Sequence, residues 1–122
     1  MEWKDQETIV EIAFRGMEAS PAVEERIREK VERLKQFNDR IISCRVTIDE
    51  PHRKRQVGKV FHVKIEIGLP GRHDVVVNRE PEENHAHEDI YVALRDAFDA
   101  ARRRLQDAAA KMGGDVKTHR AG

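Results

Sequence analysis

The stretch HAHEDIYVALRDAFDAARRRLQDAAAKM, His85 to Met112, decides the fold. Its apolar residues fall at Tyr91, Leu94, Phe98, Ala101, Leu105, Ala108 and Met112. These alternating steps of three and four put side chains on one face of an α-helix. Arg95 and Arg102 stand just beside that stripe, Arg104 and Lys111 towards the other flank, and Arg103 outward. Such a helix docks its apolar side on a sheet and carries guanidinium groups along its margins. It also brings partners for them. Asp99 lies four residues from Arg95 and from Arg103, and Asp107 four from Arg103; pairs at this spacing contribute about 0.2–0.5 kcal/mol each. The rest of the chain must decide between a binding face and self-paired surface charge.

Upstream, residues 1–7 form a polar lead-in with Trp3 as its one anchor. Thr8 to Arg15 alternates, with Val10, Ile12 and Phe14 on one side and Glu11 and Arg15 on the other, which predicts a half-buried strand. After Gly16, Ser20-Pro21 marks a helix start, a capping hydroxyl followed by a proline suited to the first helical position. This helix runs to about Phe37 with Val23, Ile27, Val31 and Leu34 as its buried stripe. Arg26, Lys30 and Arg33 line one margin and Arg28 and Lys35 the other, while Glu25, Glu29 and Glu32 point away; Glu29 is placed to pair with Arg33. Asn38-Asp39 is a turn. Ile42, Cys44, Val46 and Ile48 then alternate with polar residues as a second strand, which makes Cys44 a small core residue rather than a nucleophile. A loop with Arg53, Lys54 and Arg55 in a row leads to a third strand, Lys59 to Leu69, with Phe61, Val63, Ile65 and Ile67 on one face. Pro70-Gly71 turns the chain into a fourth, His73 to Arg79. Beyond Met112, Gly113-Gly114 reads as a helix stop and residues 113–122 as a flexible tail or linker.

The expected fold is α+β in the order βαβββα, one domain over residues 8–112, with both helices on one face of a four-stranded sheet. Strands two to four form an antiparallel meander. The first helix is long enough to be a crossover, so strand one can lie parallel to its neighbour.

Composition narrows the function. The 122 residues carry 23 basic and 23 acidic side chains, so any polyanion site must arise from local segregation of charge. One cysteine forms no intrachain disulfide, and no run approaches the ~20 apolar residues of a membrane span. The start, MEWKDQE, has no apolar signal core, and a cytoplasmic protein is expected. His85 and His87 with Glu88 and Asp89 have the side chains for zinc. Positions two apart on a helix do not face each other, and acids at a helix start serve its dipole, so no metal site is assigned. His52, His62, His73 and His119 lie on separate elements, and no phosphate-loop or nucleophile motif occurs. Neither an enzyme nor a cofactor is expected. What stands out is the set of cations Arg26, Lys30, Arg33, Arg53, Lys54, Arg55, Arg95, Arg102 and Arg103. Helices lying side by side would gather most of them where phosphates thread. RNA fits better than DNA, being read through phosphates, 2′-hydroxyls and shape. With six aromatics, and Phe14, Phe61 and Phe98 in the core, backbone and shape recognition is expected rather than base reading.

Three stretches together resemble the ribosome hibernation-promoting factor and ribosome-associated inhibitor family, also called sigma-54 modulation proteins. RLKQFNDRIISCRV (33–46) is similar to that family's helix end and second strand, VKIEIGLPG (63–71) to its third strand and turn, and EDIYVALRDAFDAARRRL (88–105) to its signature helix. The resemblance implies a fold similar to double-stranded RNA-binding domains. It also implies binding to rRNA of the small ribosomal subunit, in the path used by mRNA and tRNA at decoding, so that idle ribosomes are silenced or protected under stress. By position, Lys30, Arg33 and Arg103 match the family's rRNA contacts best, with Arg26, Arg95 and Arg102 beside them. The chain departs from the pattern at Gln106 and Asp107, where relatives often keep basic residues, and in its Arg53–Arg55 loop and His85–His87 lead-in. The family's long form has an extra dimerisation domain that this sequence lacks, and some relatives continue past a GDVKTH-like linker into a cold-shock domain. Two other readings fit the same residues: a general RNA-binding stress module, and a protein-binding regulator.

Overall fold

The structure is a computed structural model that describes residues 8–50, 61–72, 74–79 and 89–121, with side chains described at all of these except 72, 79 and 109–121. The lead-in with Trp3, the Arg53–Arg55 loop, His52, His73 and the His85–Glu88 segment lie outside the described residues. The elements are β1 (Ile9–Arg15), α1 (Pro21–Phe37), β2 (Ser43–Asp49), β3 (His62–Gly68), β4 (Val75–Arg79) and α2 (Ile90–Ala121). The sheet order is β1-β2-β3-β4. β1 pairs parallel with β2, from Ile9 opposite Ser43 to Arg15 opposite Asp49. The crossover through α1 makes that possible. β2, β3 and β4 form the antiparallel meander.

Local chemistry starts both helices. Ser20 has extended backbone and its Oγ accepts the Val23 N–H at 3.3 Å, with Pro21 at the first helical position. At α2 the Asp89 carboxylate accepts the Tyr91 N–H at 2.8 Å, and the Asp89 carbonyl accepts the Ala93 N–H at 3.0 Å. Between β3 and β4, Pro70–Arg72 forms a single 3-10 turn in which Gly71 takes φ 74°, a left-handed conformation that costs glycine little.

One core joins the layers. Val23, Ile27, Val31 and Leu34 of α1 and Ala93, Leu94, Ala97, Phe98, Ala101 and Leu105 of α2 are buried with the inner residues of β2, β3 and β4. Val10, Ile12 and Phe14 of the edge strand β1 are half-buried against them. Cys44 is part of this core, and burial pushes its thiol up to about 12. A thiol that stays protonated is inert.

Three sequence expectations are corrected. The stop at Gly113-Gly114 does not occur: the backbone remains helical to Ala121. Each glycine costs a helix roughly 1 kcal/mol, which a ladder already nucleated upstream can carry, and no proline intervenes. Ile42 is not an inner residue of the second strand. It is 52% exposed, and Ile41 is buried in its place. The turn at Asp39 and Arg40 lies just upstream, and the strand proper starts at Ser43. β4 alternates as any strand must, with Val75 and Val77 buried and Val76 facing outward. Tyr91, expected on the buried stripe, is 37% exposed. It sits in the first turn of α2, one residue after the helix begins.

A cationic seam between the two helices

Two rows of side chains face each other where the helices meet. On α1 the row is Arg26, Lys30, Arg33 and Phe37; on α2 it is Tyr91, Arg95, Asp99 and Arg102. Steps of three and four keep each row on one helical margin, next to the buried stripe. The rows are joined at both ends. The Arg26 guanidinium lies 4.9 Å from the centre of the Tyr91 ring, and the Arg102 guanidinium 5.5 Å from the centre of the Phe37 ring. An early residue of α1 thus meets an early residue of α2, and a late one meets a late one, so the helices run in the same direction. Both contacts are cation–π pairs, in which the ring face attracts the cation.

Lys30 occupies the middle. Its ammonium is held below its ordinary value of 10.5, first by burial and then by Arg33 and Arg26, with Arg95 adding to the shift and Asp99 opposing it. Three arginines from two helices therefore act on Lys30, and Asp99 is the acid that opposes them. The self-pairing expected from spacing is largely unmade. Glu29 lies 3.6 Å from Arg26 rather than at Arg33, and Arg95 contacts its neighbour Asp96 at 3.2 Å rather than Asp99. Among the described residues no acid stands within ion-pair distance of Arg33, Arg102 or Arg103.

Of the cations singled out by sequence, the structure brings Arg26, Lys30, Arg33, Arg95 and Arg102 together. Arg103 is exposed one position further round α2. Arg53, Lys54 and Arg55 lie outside the described residues, as do His85 and His87. Arg104 leaves for the opposite flank, where its Nη1 donates to the Val76 carbonyl of edge strand β4 at 3.0 Å. The residues missed by sequence reasoning are Phe37 and Tyr91, the two exposed aromatic rings of the seam. Their signal was available in position, since each continues a basic row at helical spacing.

The other side of the sheet is chemically different. A shallow groove there is lined by Ile9, Ser43, Gly68 and Val76, and it brings Arg45 together with Glu11 and Glu66. With Asp74 at its rim the groove holds three acids to one base, so it offers nothing to a polyanion. Among the described residues no three metal-ligating side chains gather, and no helix is long and apolar enough to cross a membrane.

The architecture defines a small α+β domain with two parallel helices on one face of a mixed sheet, a fold shared with solved structures. A ribosomal subunit interface protein from Coxiella burnetii superposes with a TM-score of 0.66 at 19% identity, over 84% of this chain and 99% of that one. The N-terminal domain of Protein Y from Thermus thermophilus gives 0.62 at 21% identity, over 83% and 98%. The chain belongs to the Sigma 54 modulation protein / S30EA ribosomal protein family, whose model matches residues 10–113. Comparison with curated proteins gives no match.

Proposed function

We propose that this chain binds the small ribosomal subunit in the decoding path of mRNA and tRNA, and that it silences or protects idle ribosomes under stress. The observation that carries the reading is the seam: Arg26, Arg33 and Arg95 from two helices converge on Lys30, Arg102 extends the row at its end, and Asp99 is the one acid of the two facing rows. Holding like charges together costs free energy, and a phosphate chain laid along the seam removes that cost. Family membership supplies the ribosome as the polyanion, and the Coxiella burnetii relative is itself described as a ribosomal subunit interface protein.

The action is steric. The domain occupies the channel, Arg26, Lys30, Arg33, Arg95, Arg102 and Arg103 neutralise rRNA phosphates, and the rigid sheet behind them fills space. Arg53, Lys54 and Arg55 join as further phosphate contacts on the strength of the sequence alone. No bond is made or broken, so the reading needs neither catalysis nor a cofactor, and its place of action is the cytoplasm.

Co-sedimentation with purified small subunits tests it. Wild type is expected to bind, with affinity falling steeply as salt rises because each phosphate contact releases counterions. A folded Arg95→Glu, Arg102→Glu, Arg103→Glu variant is expected to lose roughly a thousand-fold or more, three charge-assisted contacts being replaced by repulsion. Competition by initiator tRNA then locates the site. A salt-insensitive complex, or equal binding by the variant, overturns the reading. Comparable affinity for free RNA of unrelated sequence would replace it with a general RNA-binding module.

A further inference from the structure

Phe37 and Tyr91 are 41% and 37% exposed, although both are large and apolar and both border a buried stripe. They come from opposite helices and mark opposite ends of the seam. Arg26 to Phe37 on α1 and Tyr91 to Arg102 on α2 are each eleven residues, three helical turns, so the two rings stand about 16 Å apart along parallel helices. Between them lie Lys30, Arg33 and Arg95, with Asp99 as the one acid of the two rows. A few nucleotides of a single strand bridge such a distance, with phosphates over the cations and a base at each end.

We propose that Tyr91 and Phe37 are stacking platforms for two unpaired RNA bases, with Arg26 and Arg102 holding the ring faces until the bases arrive. This rests on the seam being an RNA-binding surface and states what kind of RNA it takes. A base has a π-face that replaces the guanidinium over the ring, and the freed guanidinium turns to the adjoining phosphate. Each ring keeps a partner over one face before and after the exchange. Bases stacked inside a duplex cannot reach the rings, so the seam selects splayed single strands such as loops and bulges. Recognition by backbone and shape, which the small number of aromatics suggests, is therefore only part of it.

The test uses Tyr91→Leu and Phe37→Leu, which keep apolar bulk and lose the π-face, beside Tyr91→Phe and Phe37→Tyr, which keep the ring. In small-subunit co-sedimentation each leucine variant is expected to bind roughly five-fold or more weakly, and the ring-retaining variants as wild type. The dependence on salt should be the same for all, because no cation is removed. Leucine variants that bind like wild type would overturn the stacking role and leave subunit binding standing. Failure of wild type to bind subunits would overturn the ribosomal reading instead, and a second measurement decides stacking without subunits and without the leucine variants. Tyr91 is the chain's one tyrosine, and Trp3→Phe removes its one tryptophan. The fluorescence of Tyr91 in that variant is expected to be quenched by single-stranded oligouridylate and far less by an abasic ribose-phosphate strand of equal length. No quenching, or equal quenching by both strands, overturns the proposal.

Discussion

On the open face of the sheet, Arg45 of β2 lies 3.7 Å from Glu11 of β1 and opposite Glu66 of β3, which in turn meets Lys64 at 4.0 Å. On the helical face, Lys30 of α1 has Arg26, Arg33 and Arg95 as its neighbours. Both surfaces are rich in charge. The outward residues of β1, β2 and β3 include Arg15, Arg45 and Lys64 against Glu11, Asp49 and Glu66, a neutral set. Cross-strand partners of opposite sign stabilise the sheet they sit on. The seam instead sets Arg26, Arg33 and Arg95 against Lys30, whose charged form they disfavour. A net charge of zero over the chain therefore says little about either face. Topology sorts the charges, gathering cations on the helical face and pairing opposite signs on the sheet.

The comparison breaks most directly in a binding assay. Reversing Arg45 and Lys64 together, Arg45→Glu with Lys64→Glu, changes the net charge by as much as reversing two seam arginines. Subunit affinity is expected to stay within about two-fold of wild type, set against the roughly thousand-fold loss for the seam triple variant. Equal losses from the two faces would mean that global charge, and not the seam, steers the protein to RNA.

A smaller effect separates the faces by stability. Gly68 of β3 stands opposite Ser43 of β2, and a Cβ added there would lie 2.5 Å from the Ser43 Oγ. Gly68→Ala is expected to destabilise the fold by about 1 kcal/mol, the low end of overpacking costs, because the obstructing atom is a hydroxyl that can rotate. Adding Ser43→Ala should recover most of it, because the serine Cβ lies at 3.7 Å, an ordinary contact. Thermal unfolding of the two single variants and the double variant measures the coupling. RNA affinity of the folded variants should not change, since the site lies on the face that binds nothing in this account.

Much of the fold was legible in the sequence because it rests on local rules. Period-two and period-3.6 patterns located four strands and two helices, and Ser20-Pro21 located the start of α1 to the residue. The misplaced points are those where a tertiary context decides. Two glycines stop an isolated helix, yet α2 continues through Gly113 and Gly114. Ile41 and Ile42 are equally apolar, and only the bend before β2 determines which is buried. The seam was half legible. Helical spacing placed Arg26, Lys30 and Arg33 in one row and Arg95 and Arg102 in another. Which row member faces which depends on the parallel docking of the helices, and so the pairing of Phe37 with Arg102 and Tyr91 with Arg26 was hidden. The pairing of acids was hidden for a different reason. Exposed ion pairs differ by tenths of a kcal/mol, and spacing alone does not choose Asp96 over Asp99 for Arg95.

The finest distinction between the faces is a proton. The folded chain holds Lys30 below its ordinary 10.5, through burial first and then the neighbouring arginines. The unfolded chain therefore binds more protons than the folded one between that lowered value and 10.5, and stability rises with pH across this interval. At neutral pH the full penalty is present. A phosphate laid beside Lys30 favours its charged form, so binding raises the value again and the complex takes up protons under alkaline conditions. Affinity for small subunits is accordingly expected to fall as pH rises through the lowered value of Lys30 towards 10.5, by no more than one phosphate contact contributes. Lys30→Arg keeps the charge and does not titrate in this range, while leaving Asp99, Tyr91 and the arginines of the seam in place. The difference between the two pH profiles belongs to Lys30. Parallel profiles would mean that no phosphate reaches the middle of the seam, and that RNA, if bound, touches its ends alone.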